Sequence, residues 1–102
     1  MSRFVKVAAL VDVPLGSSKW IEVEGKEVAL FNVGGALYAL DNLCPHAGGP
    51  LAEGTVEGQE VECSWHGARF DLKSGASSSP LAPDGVQAYP VRVSGADIEI
   101  EL

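Results

Sequence analysis

Every cysteine and every histidine of this 102-residue chain falls in one of two short segments, Cys44-Pro45-His46 and Cys63-Ser64-Trp65-His66. Each segment carries one thiol and one imidazole, and sixteen residues separate His46 from Cys63. Both lie between strand-like stretches, so each reads as a loop tip that presents its two side chains in one direction. A fold that uses all four groups together must bring two separate loops face to face. That requirement restricts what so short a chain can become.

The rest of the chain reads as short strands. Phe4-Val5-Lys6-Val7 opens it, and Trp20-Ile21-Glu22-Val23-Glu24 follows a Pro14-Leu15-Gly16 break. The apolar runs Lys26 to Asn32 and Ala36 to Leu40 flank Val33-Gly34-Gly35, a hairpin signal. Glu60-Val61-Glu62 leads into Cys63, and Arg69-Phe70-Asp71-Leu72 follows the second Cys–His segment. Tyr89 to Val93 and Asp97 to Leu102 form a last hairpin across Ser94-Gly95-Ala96, and Ile98, Ile100 and Leu102 alternate with acidic residues, as on a half-buried strand. Val13-Pro14 stops any helix that begins near Val7. Eight to ten short strands indicate an all-β antiparallel sandwich or barrel. The length allows one compact domain, residues 1–102.

Fourteen acidic against seven basic residues give a net charge of −7. That balance argues against nucleic acid, whose phosphates need clustered cations, and suits either docking onto basic proteins or plain solubility. No apolar run approaches the roughly 20 residues of a membrane span, and Met1 to Val7 is too short and charged for a signal peptide. A cytoplasmic protein is expected, and monomeric, since no long exposed apolar stripe demands association.

Two thiolates and two imidazoles suit a 2Fe–2S cluster with both sulfurs on one iron and both nitrogens on the other. Zinc also accepts a Cys2His2 set, although zinc fingers usually pair Cys with Cys and His with His. A zinc-stabilised interaction module is therefore the alternative from another class. With both histidines used as ligands there is no acid–base pair, no Ser–His–Asp set and no second histidine site for a mononuclear iron. No dinucleotide-binding glycine fingerprint appears either. The chain is not expected to be an enzyme by itself.

The stretches C-P-H-A-G-G-P-L-A-E-G and C-S-W-H-G-A-R-F-D-L-K-S-G resemble the Rieske ferredoxins of bacterial ring-hydroxylating oxygenase systems, and the likeness runs over most of the chain. The resemblance implies a Rieske fold: two larger antiparallel sheets with a small cluster-binding subdomain, approximately residues 42–84, formed by the two Cys–His loops. It implies one 2Fe–2S cluster per chain, with Cys44 and Cys63 on the buried iron and His46 and His66 on the exposed one. It further implies transient partners: a flavin- and NAD(P)H-dependent reductase as electron donor, and a terminal oxygenase as acceptor. The small Rieske-type subunit of an assimilatory nitrite reductase has similar segments and is the alternative within electron transfer.

Departures from the cytochrome bc branch of that family are informative. Its loop cysteines, which form a disulfide, correspond here to Gly49 and Trp65. Its Ser and Tyr hydroxyl donors correspond to Ala68 and Phe70. Fewer donors to the cluster imply a potential at the bottom of the Rieske range, on the order of −150 mV. By the same resemblance Ser77 to Pro83 forms a loop over the cluster, stiffened by Pro80 and Pro83. Trp20 is expected in the core, Trp65 as a shield of the cluster or else a partner-binding surface, and Arg69 as a solvated charge rather than a cluster-tuning one. Asp41, Glu53, Glu60 and Glu62 form either an acidic docking rim or, for the last two, a polar strand face.

Overall fold

The structure is a computed structural model, and it describes residues 3–42, 50–63, 67–77 and 85–102. Ten strands run through these residues: β1 (Phe4–Ala9), β2 (Ser18–Val23), β3 (Lys26–Val33), β4 (Ala36–Asp41), β5 (Thr55–Glu57), β6 (Glu60–Glu62), β7 (Arg69–Asp71), β8 (Ala88–Tyr89), β9 (Val91–Ser94) and β10 (Asp97–Glu101). They form three antiparallel sheets, ordered β1-β10-β9, β2-β3-β4-β8 and β5-β6-β7. No α-helix occurs among the described residues. Two 3-10 turns, Leu10–Asp12 and Leu51–Glu53, interrupt the strands, and the first ends at Val13-Pro14 as expected.

The four-stranded sheet is the middle layer. Its strand β3 is buried from Val28 through Asn32, so the run Val-Ala-Leu-Phe does not alternate in polarity. On one face Ile21, Val28, Leu30, Ala39 and Tyr89 pack with Ala8, Ile98 and Ile100 of the terminal sheet. On the other, Ala29, Phe31 and Leu40 pack with Leu51, Val61, Cys63, Ala68, Phe70 and Leu72 of the small sheet and its connections. A strand buried on both sides needs apolar residues at successive positions, and β3 supplies them.

The β3–β4 hairpin closes through Gly34 and Gly35 at φ 63 and 96, the left-handed backbone a two-residue turn of this kind demands. Asn32 locks it from inside: its Nδ2 donates to the Val13 carbonyl at 2.8 Å and its Oδ1 accepts from Gly35 N–H at 3.1 Å. The last expected hairpin differs in one respect. Tyr89 pairs with Ala39 of β4, whereas Val91 pairs with Ile100 of β10. Pro90 lies between, and lacking an N–H it cannot continue a ladder, so the chain changes sheets there. Strand β5, not anticipated in the sequence, pairs with β6 through Val56 and Val61. Trp20, expected in the core, is 53% exposed because β2 is an edge strand.

Candidate metal centre

The two Cys–His segments rise from loops whose ends are fixed. The first loop leaves β4 at Asn42, a buried residue. Asn42 N–H donates to the Glu27 carbonyl at 2.9 Å, extending the β3–β4 ladder by one step. Its own carbonyl accepts from Leu51 N–H, and its Oδ1 accepts from Ala52 N–H at 2.9 Å. One side chain and one peptide group thereby clamp the exit of the loop to its entrance. Cys44 and His46 lie within that loop and outside the described residues, as does Gly49.

The second loop begins at Cys63, which is 1% exposed. Cys63 N–H donates to the Ala68 carbonyl at 2.7 Å, and Gly67 N–H donates to the Cys63 carbonyl at 2.9 Å. The backbone is thus closed on itself across 64–66, the span holding Trp65 and His66, which also lie outside the described residues. Ala68 and Phe70, on the exit side, are fully buried.

The bases of these loops adjoin. A Cβ on Gly54, just past Leu51–Glu53, would stand 2.4 Å from the carbonyl oxygen of Glu62, the residue before Cys63. Leu51 and Cys63 share one apolar core. A third crossing closes beside them: Gly75 N–H donates to the Asp71 carbonyl and Gly75 O accepts from Val86 N–H, both at 2.8 Å. A Cβ on Gly75 would stand 2.0 Å from the Val86 oxygen, and one on Gly85 would stand 2.4 Å from the Gly75 oxygen. Only side-chain-free backbones can pass so closely. The covering loop expected at Ser77 to Pro83 falls in the segment between them, and residues 78–84 lie outside the described residues.

Charge near this centre is organised by Arg69, a surface charge as expected from sequence, though one held in ion pairs. From β7 its guanidinium reaches Glu57 of β5 at 2.9 Å and Glu60 of β6 at 3.0 Å, with Glu62 at 3.6 Å. Hydrogen bonds to Glu57 and then Glu60 hold its pKa above the ordinary arginine value. Glu60 and Glu62 therefore belong to a polar strand face tied across three strands. Asp41 is engaged as well, accepting from the Tyr89 hydroxyl at 2.6 Å. Burial first, and then this bond to Asp41, push the Tyr89 phenol well up. Of the four residues considered for an acidic rim, Glu53 is left exposed.

Among the described residues no three metal-ligating side chains cluster; of the four candidate ligands, Cys63 alone is described. Its setting fits a buried iron ligand nonetheless: a cysteine side chain in an apolar core, with its backbone hydrogen-bonded on both sides. Sequence reasoning missed the clamp at Asn42 and the crossing at Gly75 and Gly85. A polar residue just before the first segment was the only available hint of the former.

Three antiparallel sheets with loops gathered at one apolar core, one of them rooted in a buried cysteine, make a small β-protein with a candidate metal-centre site. The chain belongs to the Rieske [2Fe-2S] domain family, whose model matches residues 3–90. It is 37% identical over 100 residues to the ferredoxin component of the naphthalene 1,2-dioxygenase system of Pseudomonas aeruginosa, covering 98% of this chain and 96% of that one. Among solved structures, the ferredoxin of carbazole 1,9a-dioxygenase from Nocardioides aromaticivorans IC177 superposes with a TM-score of 0.89 at 35% identity, covering 95% of each chain. A complex of reduced oxygenase and oxidised ferredoxin in carbazole 1,9a-dioxygenase matches at TM-score 0.86 and 28% identity, over 95% of this chain and 91% of that one. A nitrite reductase small subunit from Mycobacterium tuberculosis shares the fold at TM-score 0.90 and 22% identity, covering 100% of this chain and 96% of that one. The cofactor is accordingly a Rieske-type 2Fe–2S cluster, and the chain is an electron carrier, not a catalyst in its own right. Among the described residues no helix is long and apolar enough to cross a membrane.

Proposed function

We propose that this chain is the ferredoxin of an aromatic-ring-hydroxylating dioxygenase system, taking single electrons from an NAD(P)H-dependent flavoprotein reductase and delivering them to a terminal oxygenase. The observation that carries the reading is the common root of the two loops: the Cys44–His46 loop closes at Asn42, Leu51 and Ala52, beside Cys63. Near-full-length likeness to dioxygenase ferredoxins supports the partner class. Residues 1–102 act as one Rieske domain, with the cluster-binding part at about 42–84, and the protein works as a monomer in the cytoplasm.

Cys44, His46, Cys63 and His66 hold the cluster, the thiolates on the inner iron and the imidazoles on the outer. When bound, the cluster accepts and returns one electron at a time. The chain's own part is to hold four ligands in place and to keep water from the inner side. Leu51, Ala68, Phe70 and Leu72 do the second, being buried around Cys63. Backbone hydrogen bonds at Cys63 and Asn42 do the first. With no hydroxyl at positions 68 and 70, the chain offers fewer donors to stabilise an added electron. A net charge of −7 favours rapid encounter with basic partners.

The test is reconstitution. Purified protein should be red-brown and, once reduced, give the low-average-g EPR signal of a mixed Cys/His cluster. With NADH, a flavoprotein reductase and the oxygenase component of a naphthalene dioxygenase, it should restore hydroxylation that is lost when it is omitted. Omission without effect sinks the reading, and tight co-purification with a sirohaem protein would favour a nitrite reductase subunit instead.

A further inference from the structure

The exposed Trp20 lies on the face of the middle sheet that carries the metal-centre loops. In register it stands opposite Ala29, and Ala29 opposite Leu40, both fully buried in the core shared with Leu51 and Cys63. The small sheet and its connections cover those inner strands, while edge strand β2 leaves Trp20 uncovered. Ser18, two residues earlier on the same face, donates its hydroxyl to the Ala52 carbonyl, beside the clamp of the first loop. Glu22 pairs across the sheet with Glu27, and the Glu27 carbonyl accepts from Asn42 N–H. Trp20 is thus joined, through one row of neighbours, to the point where the Cys44–His46 loop leaves the sheet.

The ring is also held. Its Nε1–H donates to Glu27 Oε1 at 3.0 Å, so its polar edge is satisfied within the chain and an apolar face is what remains for solvent. An indole already oriented loses little freedom when a partner covers it, and tryptophan is among the residues that most often anchor interfaces. The surrounding charge has one sign. On this face β2 and the facing half of β3 carry Glu22 and Glu27 and no cation, since Lys19 and Lys26 alternate to the other face. Glu24 in the adjoining turn is already matched by Arg3.

We propose that Trp20 anchors a docking surface for the terminal oxygenase, seating a basic patch whose arginine or lysine stacks on the indole between Glu22 and Glu27. Guanidinium and ammonium groups bind the face of an indole more strongly than other aromatic rings, and flanking carboxylates complement the same charge. A ferredoxin that matches this chain over nearly its whole length has been solved in complex with an oxygenase, which supports that acceptor over the reductase. The inference rests on the electron-carrier reading above and assigns it a surface.

The test uses cluster-loaded protein and the purified oxygenase component of naphthalene 1,2-dioxygenase, titrated calorimetrically at low and high salt. Trp20→Ala should weaken binding by roughly tenfold or more, Trp20→Phe by less, and Glu22→Gln should reduce the salt dependence. Melting temperature, EPR signal and midpoint potential should stay those of the wild type, because the ring is outside the core. Wild-type affinity in Trp20→Ala overturns the proposal. So does a loss confined to the reductase, or sedimentation showing a dimer that Trp20→Ala dissolves. If the wild-type protein neither binds nor reduces the oxygenase, the functional reading fails with it, an outcome distinct from a Trp20→Ala variant that behaves normally.

Discussion

The side chain of Asn42 accepts a hydrogen bond from the backbone N–H of Ala52 at 2.9 Å, closing from beneath the loop that bears Cys44 and His46. The residue is buried, so removing the carboxamide leaves the Ala52 N–H without its acceptor. Such a loss costs about 1–3 kcal/mol. Asn42→Ala should lower the melting temperature by roughly 4–8 °C per kcal/mol lost and speed cluster loss under chelator. Asn42→Asp keeps an acceptor oxygen and should retain the cluster longer than Asn42→Ala. Equal stability of Asn42→Ala and wild type would show that the clamp is idle.

The crossing of Gly75 and Gly85 predicts a sharper effect. Gly75 sits at φ +77, and a methyl there would meet the Val86 oxygen at 2.0 Å. Left-handed backbone costs a non-glycine residue about 1–2 kcal/mol, and relieving the overlap requires the two backbones to separate. Gly75→Ala should therefore destabilise by more than about 2 kcal/mol in chemical denaturation. Gly95→Ala is the control: it shares the positive φ of 62 but has no atom within 4 Å of the added methyl. It should cost clearly less.

The relation between chain and fold is uneven, for physical reasons. The β3–β4 hairpin was legible because Gly34 and Gly35 announce a turn between two apolar runs. The kind of centre was legible because two Cys–His segments suit few cofactors besides a Rieske-type cluster, and the family match bears that out. Strand β5 was not, since Thr55-Val56-Glu57 is too short to show a period and exists by pairing with β6. Trp20 was misread, and the pairing of Arg69 went unseen, for one shared reason. Exposure and pairing depend on which strand is at an edge and which lies beside it, and neither is written locally. Asn42 escaped notice because its partner is ten residues away, across the loop it closes.

The Tyr89–Asp41 contact predicts an alkaline limb. Burial first and then the bond to Asp41 raise the phenol's pKa in the folded chain, so the folded state holds its proton more tightly than the unfolded one. The stabilisation is complete below the unfolded value, about 10, and drains away as pH rises from there toward the folded value. Urea denaturation at several pH values above 10 should show wild-type stability falling faster than that of Tyr89→Phe. Parallel curves would mean that the phenol does not differ between the two states.

Asp71 gives the opposite limb. Its carboxylate accepts from the backbone N–H of Ser74 and Lys73, each at 2.8 Å, and the Ser74 bond is the chief cause of its lowered pKa. A depressed folded pKa contributes stability above the unfolded value near 3.9, and that contribution is lost as pH falls through the folded one. Asp71→Asn should flatten the acid limb below pH 4 relative to wild type. An acid limb unchanged by the substitution would remove Asp71 from the account.

The reduction potential depends on the same core. Ala68 and Phe70 are fully buried beside Cys63, and neither side chain carries a donor. Hydrogen bonds to cluster sulfur favour the reduced form, and with no hydroxyl at these two positions the midpoint is expected at the bottom of the Rieske range, about −150 mV. A redox titration above zero would refute this. Ala68→Ser and Phe70→Tyr each place a hydroxyl in the same core, where one without an acceptor costs about 1–3 kcal/mol. If sulfur of the centre accepts it, the midpoint rises and the cluster-loaded protein keeps its melting temperature. If nothing accepts it, the midpoint stays fixed and the protein is destabilised. The two readouts move oppositely, so a single pair of variants decides whether positions 68 and 70 set the potential or merely fill the core.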